Sequence, residues 1–257
     1  MGASTAILDD MTFVGERRAL AAIVFAFFFL QCLLGALQIG PPMANVMYAL
    51  AGCYGLAFFG LVAGYFWARW YAVGVGLFGV ILAAVSLWQA RNNPDIPWEL
   101  VWKTFAFIGV THLVAVVMLW GNSMAGPYDG QTKWREKLHM DDNAVQRLGR
   151  SVIRAGVGLP FVLAYAFVPK PEMASSVLAL IALGLTGVGI RGIVRAKTWG
   201  VVAIGFAGAT MIMLACADLW MGATDGWVMR PALGGALLFS AAVPWFAPMA
   251  RSFRASR

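Results

Sequence analysis

Long apolar stretches separated by short polar segments make up most of this chain. A membrane-spanning helix needs roughly 20 predominantly apolar residues, and eight stretches come close to that requirement. We predict a spanning helix in each of them, at residues 18–39, 44–67, 70–89, 99–121, 151–168, 174–194, 198–221 and 231–249. The fifth is a short apolar run with Pro160 near its middle, so a kink is expected there.

The composition favours a membrane location over an aqueous one. Hydrophobic residues make up 61% of the chain and charged residues only 12%, whereas soluble domains carry about 25% charged residues. The net charge of +7 comes from Lys and Arg in short loops, which indicates anchoring at a membrane surface and not a nucleic-acid partner. The three cysteines lie in apolar runs without a CxxC pair, so neither a disulfide framework nor a zinc site is indicated.

Basic residues are distributed unequally between the two sides of the predicted bundle. If the N-terminus is cytoplasmic, fifteen of the nineteen Lys and Arg residues lie on the cytoplasmic side and four on the opposite side. Cytoplasmic loops of membrane proteins carry such an excess. We therefore predict that both termini are cytoplasmic, which requires an even number of spans, and that the protein lies in the inner (plasma) membrane of a bacterial cell.

The two halves of the chain share features at an offset of about 130 residues. Residues 43–44 and 173–174 are both Met-Ala, and the placement of aromatic and basic residues at 68–73 resembles that at 196–201. Because four spans return the chain to the same side, the two copies would be parallel repeats. The predicted organisation has five parts. A cytoplasmic tail (1–17) precedes a four-helix membrane unit (18–121), a basic cytoplasmic linker (122–150) leads to a second four-helix unit (151–249), and a basic cytoplasmic tail (250–257) follows.

The basic linker has two open interpretations. Its part at 133–150 could form an amphipathic helix on the membrane surface, with Trp134, Leu138, Val145 and Leu148 facing lipid. The basic residues of the segment would then contact anionic headgroups. Alternatively, the segment is a solvated linker whose only role is to join the two units.

One histidine within the predicted spans is a candidate ligand-binding residue. His112 lies near the middle of the fourth span, where an ionisable side chain is costly and often functional. It is also the one candidate metal ligand at that depth. A neutral imidazole bonded to a backbone carbonyl or to Thr111 would explain the residue equally well.

Three further polar residues within the spans are candidates for ligand binding. Gln31 near the middle of the first span could hydrogen-bond between helices, and Tyr54 could line a groove between helices or only pack. Asp218 lies near the outer end of the seventh span, where Arg230 or Arg91 is its expected ion-pair partner.

Two glycine patterns, at 74–79 and 187–192, match the GxGxxG spacing of dinucleotide-binding loops. That function requires a preceding strand, a tight turn and a helix N-terminus. Both patterns instead lie inside apolar runs, where small residues allow neighbouring helices to approach closely. We therefore interpret them as helix-packing faces.

The segment at 30–37, Leu-Gln-Cys-Leu-Leu-Gly-Ala-Leu, resembles the first-span pattern of haem A synthases. Those proteins are also similar in having two four-helix halves. The resemblance covers these eight residues and the architecture. It implies haem ligation by intramembrane histidines, for which this chain offers only His112.

No catalytic motif is present in the sequence. Nucleophile elbows, phosphate-binding loops, HExxH motifs and paired intramembrane carboxylates are missing, so we expect a non-enzymatic role without a cofactor. The first hypothesis is a structural or accessory subunit of a membrane assembly, with lipid and other membrane subunits as partners. The second is a small-solute or lipid transporter with its site between the two repeats. The third is a haem- or quinone-binding redox protein.

Overall fold

The computed structural model describes residues 2–93, 95–128, 132–137, 140–170, 172–223 and 225–255. Within these ranges the chain forms ten α-helices and no strand. They are α1 (Gly2–Gln38), α2 (Met43–Ala63), α3 (Ala68–Asn92), α4 (Trp98–Leu119), α5 (Asn122–Ala125), α6 (Thr132–Lys137), α7 (Asp142–Ala166), α8 (Met173–Val194), α9 (Thr198–Trp220) and α10 (Asp225–Ala255).

Each of the eight predicted spans overlaps one of the long helices. Among the described residues, seven helices are long and apolar enough to cross a membrane, namely α1 to α4 and α8 to α10. Helix α7 is not among them, because Arg147, Arg150 and Arg154 lie in its first half. The protein is therefore an all-helical, multi-pass membrane protein whose natural solvent is a lipid bilayer.

The long helices form two groups of four. In the first group, α1 packs on α2, α2 on α3, α3 on α4, and α4 returns to α1. The second group, α7 to α10, repeats this ring of contacts. The groups meet where α7 packs against α3 and α2. We call α1–α4 unit 1 and α7–α10 unit 2.

Arginine side chains gather at one end of the bundle, which we call the basic end. Arg18 donates to the carbonyls of Leu61 and Val62 at the C-terminus of α2. Arg17 and Arg69 donate to carbonyls at the C-terminus of α4, including that of Leu119, which lies 2.9 Å from Arg69 Nε. These bonds give hydrogen-bond donors to carbonyls in the last turns of the two helices, where the positive charges interact favourably with the helix dipoles; the Leu61 carbonyl also accepts from the N–H of the capping residue Gly64. The opposite end of the bundle is the far end.

The same end carries the beginning of unit 2. Ser151 and Arg154, near the middle of α7, donate to the carbonyls of Ala241 and Ser240 in α10, each at 2.7 Å. The indole N–H of Trp245 donates to the Ser151 hydroxyl at 2.9 Å. The first turns of α7 lie beside Arg69 and Trp120 at the basic end, and Phe161 further along α7 packs on Phe78 further along α3. Helices α3 and α7 therefore both run from the basic end towards the far end.

The linker segment packs against unit 1, which differs from both interpretations of the sequence. Trp134 stacks on Phe66 with ring centroids 4.0 Å apart, and its indole N–H donates to the carbonyl of Tyr128 at 3.3 Å. Tyr128 is fully buried. Burial raises the pKa of its hydroxyl, and the nearby charges of Arg18 and Arg69 oppose that shift. Aromatic contacts with protein thus replace the expected contacts with lipid or solvent.

Helix α7 also begins earlier than predicted, at Asp142 and not at residue 151. The side chain of Asp141 accepts a hydrogen bond from the N–H of Ala144 at 2.7 Å and caps the helix N-terminus. Val145 and Leu148 are buried within the protein, so they do not face lipid. Leu138, the fourth residue expected to face lipid, lies outside the described residues.

The glycines of the first GxGxxG pattern lie at helix contacts, as a packing face requires. A Cβ atom at Gly74 would lie 2.5 Å from the Ile153 carbonyl oxygen of α7, and one at Gly76 would lie 2.6 Å from the Val116 side chain of α4. In the second pattern, a Cβ at Gly192 would lie 2.5 Å from Gly200 Cα. Such approaches are open only to residues without a side chain.

Candidate functional site

The structure brings three of the four candidate residues together in unit 1. His112 is on α4, Tyr54 on α2 and Gln31 on α1. The fourth, Asp218, lies on α9 in unit 2 and belongs to a different cluster. The two clusters are described separately.

His112 is fully buried, and both of its ring nitrogens have a protein partner. Nδ1 lies 2.7 Å from the carbonyl oxygen of Ile108, which can only accept, so the imidazole carries its proton on Nδ1. In the neutral ring Nε2 is then an acceptor, and the Tyr54 hydroxyl 2.9 Å away donates to it. Thr111, the side-chain partner considered from the sequence, instead donates within its own helix to Phe107 at 2.7 Å.

Aromatic packing fixes the orientation of the imidazole. Its ring centroid lies 4.1 Å from that of Phe28, which in turn stacks on Tyr54 at 5.5 Å. On another side, a Cβ atom at Gly79 would lie only 2.1 Å from His112 Cδ2, so the imidazole occupies the space that a side chain would need. We call Phe28, Tyr54 and His112 the aromatic floor.

A cavity of about 820 Å³ lies above the aromatic floor, between α1, α2, α3 and α4, towards the far end. Pockets that hold a small ligand typically measure about 300–1,000 Å³. Most side chains around this cavity are apolar, and its polar ones are Gln31, Gln38, Tyr54 and Thr104. Leu30 and Leu34 line the cavity and are also more than half exposed on α1, so the cavity reaches the lipid-facing surface. We call it the unit-1 cavity.

One wall of the unit-1 cavity is a polar face of α1, of which we singled out Gln31 from the sequence for hydrogen bonds between helices but did not identify the whole face. Gln31, Gly35 and Gln38 follow each other at intervals of four and three residues and therefore share one face of α1. All three line the cavity. Polar and small residues at helical spacing in an otherwise apolar run indicate a face that is not covered by lipid.

A second cavity, of about 500 Å³, lies between the two units at the far end. Arg230, Gln89 and Ser86 are among its lining residues. It shares four apolar residues of α2 and α3 with the unit-1 cavity, namely Met47, Leu50, Phe78 and Leu82. Those side chains form the partition between the two spaces.

Asp218 is buried in unit 2, where its partner is a tyrosine. The Tyr165 hydroxyl donates to Asp218 Oδ2 at 2.8 Å. Lys170, in the turn between α7 and α8, lies 4.2 Å from the Tyr165 ring centroid and donates to the Tyr165 carbonyl at 2.6 Å. Burial lowers the pKa of the Lys170 ammonium, and the Asp218 carboxylate opposes that shift. Of the partners expected from the sequence, Arg91 instead lies over Trp98.

The geometry around His112 does not fit haem or metal ligation. An iron atom on Nε2 would have to displace the Tyr54 hydroxyl, and the aromatic floor and Gly79 leave no space beside the ring. Among the described residues no group of three or more His, Cys, Asp or Glu side chains could hold a metal ion. Comparison with protein-family models, curated proteins and solved structures found no match for this chain.

Proposed function

We propose that this membrane protein binds a lipid-like molecule in the unit-1 cavity, as part of a lipid-binding or lipid-transport role. The cavity itself carries the proposal: about 820 Å³ of largely apolar space, open beside Leu30 and Leu34 and bordered by four polar side chains. An apolar molecule could enter from the bilayer between these leucines without crossing water. Gln31, Gln38 and Thr104 would then bind a polar group on it by hydrogen bonds.

The location in unit 1 replaces the site expected between the repeats. From the basic end to mid-depth the contact between the units is tight, because Gly74 meets the backbone of α7 and Phe78 packs edge-on against Phe161 at 5.0 Å, and the cavity between the units lies beyond this contact, at the far end. The aromatic floor separates the unit-1 cavity from the basic end. A ligand would therefore exchange with the far end of the bundle and with the lipid leaflet beside it.

We also propose that α7 crosses the membrane, which gives eight spans with both termini cytoplasmic. The matching rings of helix contacts in units 1 and 2 support two parallel four-helix repeats. The arginines at the basic end support a cytoplasmic location for that end. In this arrangement α7 is shielded from lipid by α2, α3, α8 and α10, which explains how a helix with three arginines could span. The far end then lies at the outer leaflet.

A matched pair of glycine substitutions tests the cavity. Gly35 lines the unit-1 cavity and Gly52 lies exposed on α2, and a Cβ at either has no neighbour within 4 Å in the part of the chain that the structure describes. Gly35→Phe should fill part of the cavity and remove the mass of one bound lipid-like molecule from the native mass spectrum of the protein released from its own membrane. Gly52→Phe should leave that mass in place. Equal retention in both variants, or no bound mass in the parent protein, would refute the proposal.

An accessory-subunit role is the second candidate function. Helix α8 favours it, because Gly184 and Gly187 are exposed and a Cβ at either would have no neighbour within 4 Å among the described residues. Small residues on an outer face allow another membrane helix to approach. In the same mass spectra, a second polypeptide bound to the chain with no lipid-like mass would favour this role over lipid binding.

A further inference from the structure

We propose a second site, for the headgroup of an anionic phospholipid, in the groove where the two units meet at the basic end. The groove has a volume of about 340 Å³ and lies between the first turns of α3, the first half of α7 and the end of α4. We call it the junction groove. It is separate from the unit-1 cavity, so neither proposal depends on the other.

Two arginines supply positive charge to the junction groove. Arg69 is held in place by its bonds to the carbonyls of Leu119 and Gly121, so its guanidinium group has a fixed position. Arg150 is exposed, and among the described residues its guanidinium group makes one hydrogen bond, from Nε to the Gln146 carbonyl of its own helix at 3.3 Å. The terminal nitrogens of Arg150 therefore remain available to a phosphate, which guanidinium groups bind with paired hydrogen bonds.

No carboxylate among the described residues lines the junction groove to neutralise these charges. The two acidic side chains at the start of α7 are already engaged. Asp141 caps the helix, and Asp142 pairs with Arg135. The groove is therefore a positively charged depression at the end of a membrane protein, which is the kind of surface that attracts anionic lipid headgroups.

The remaining lining residues match the rest of a phospholipid. Trp120 is 59% exposed at the mouth of the groove, where an indole ring suits the boundary between headgroups and acyl chains. Gln146 offers an amide beside Arg150. Val73 and Ile153 lie further along α3 and α7 and provide an apolar surface for the start of an acyl chain. A soluble phosphate ion would use only the polar part of this lining.

The depth of the groove is limited by glycine contacts. A Cβ atom at Gly149 would lie 2.9 Å from the Trp70 ring, and below it Gly74 meets the backbone of α7. The headgroup would therefore sit at the surface of the seam between the units, in contact with both. A lipid bound there would link unit 1 to unit 2.

Native mass spectrometry of the purified full chain in detergent tests the junction groove. Phosphatidylglycerol should bind more tightly than phosphatidylcholine, and Arg150→Gln should weaken phosphatidylglycerol binding roughly fivefold, as expected for one basic residue at a membrane surface. Arg150→Lys keeps the charge and should retain most of the affinity. Arg195→Gln removes one charge from an exposed arginine outside the groove and should have no comparable effect.

Three results would overturn the proposal. The first is equal binding of the two lipids. The second is an equal loss of phosphatidylglycerol binding in Arg150→Gln and Arg195→Gln, which would indicate a general effect of net charge. The third is displacement of the lipid by a millimolar excess of inorganic phosphate, which would assign the groove to a soluble anion.

Discussion

Replacing Gly74 with leucine should separate the two units and leave little folded protein. A Cβ atom at this position would lie 2.5 Å from the Ile153 carbonyl oxygen and 2.9 Å from Gly156 Cα. Both neighbours are backbone atoms of α7, so no flexible side chain can move aside. Overpacking typically costs about 1–3 kcal/mol, and a leucine between two backbones should reach or exceed the upper value. The expected result is a large fall in melting temperature, measured by size-exclusion chromatography after heating.

Gly184→Leu is the matched control for this substitution. Gly184 also lies inside a helix, but it is exposed and a Cβ there would have no neighbour within 4 Å among the residues described. The same increase in side-chain volume should leave the melting temperature close to that of the parent protein. If Gly74→Leu and Gly184→Leu both had the melting temperature of the parent protein, the close contact between α3 and α7 would be refuted.

Replacing His112 with alanine should destabilise unit 1 by about 2–4 kcal/mol, because it combines a buried void with a lost hydrogen-bond partner. The imidazole fills the space against Gly79, packs on Phe28 and accepts the hydrogen bond of the Tyr54 hydroxyl. Its removal leaves that hydroxyl buried and unsatisfied. Thermal unfolding followed by the fluorescence of the protein would measure the loss.

A double-mutant cycle separates the hydrogen bond from the void. In His112→Ala combined with Tyr54→Phe no unpaired hydroxyl remains, so the double variant should be about 1 kcal/mol more stable than the sum of the single effects predicts. Thr111→Ala is the control on the same helix, since among the described residues its hydroxyl bonds to two carbonyls of α4 itself, those of Phe107 and Ile108. A stable His112→Ala variant that loses a bound chromophore would contradict the structural role and favour redox chemistry.

The helices were predictable because the bilayer imposes the pattern that encodes them. Spanning segments must satisfy their own backbone groups and present apolar side chains, so each apolar run became one helix. The bounds of α2, α3, α4, α8 and α9 agree with the predicted ones within four residues, whereas α1 and α7 begin well before the predicted spans and α10 extends beyond its span at both ends. The start of α7 was missed because a run of apolar residues identifies a helix that is surrounded by lipid, and the first turns of α7 are not such a run. Val145 and Leu148 are buried in protein instead, in a helix whose other face carries arginines.

The candidate site was predictable only in part. A lone histidine at mid-depth drew attention to His112, but its partner Tyr54 is 58 residues away on another helix, and no spacing rule connects them. The cavity above them depends on how four helices pack against one another, which local sequence does not encode. The glycine patterns were interpretable, because their apolar surroundings are incompatible with a nucleotide-binding loop. The repeat, the orientation and the domain bounds stay predictions.

The leaflet that each proposed site faces depends on which side of the membrane each end of the bundle occupies. With the basic end cytoplasmic, the junction groove faces the anionic inner leaflet and the unit-1 cavity opens towards the outer leaflet. If α7 did not cross, the chain would have seven spans. Helices α8 to α10 would then be inverted, and the ends of unit 2 would lie on the opposite side of the membrane from the corresponding ends of unit 1. The crossing of α7 is therefore the central claim about this protein.

Cysteine labelling on the two sides of α7 tests that claim most directly. In a chain with Cys32, Cys53 and Cys216 replaced by alanine, Glu136→Cys places a thiol before α7 and Glu172→Cys places one after it, and both positions are exposed. A membrane-impermeant maleimide added to intact cells without an outer membrane should label Glu172→Cys at once and Glu136→Cys only after permeabilisation. Labelling of both from the same side would show that α7 does not cross and would contradict the eight-span arrangement.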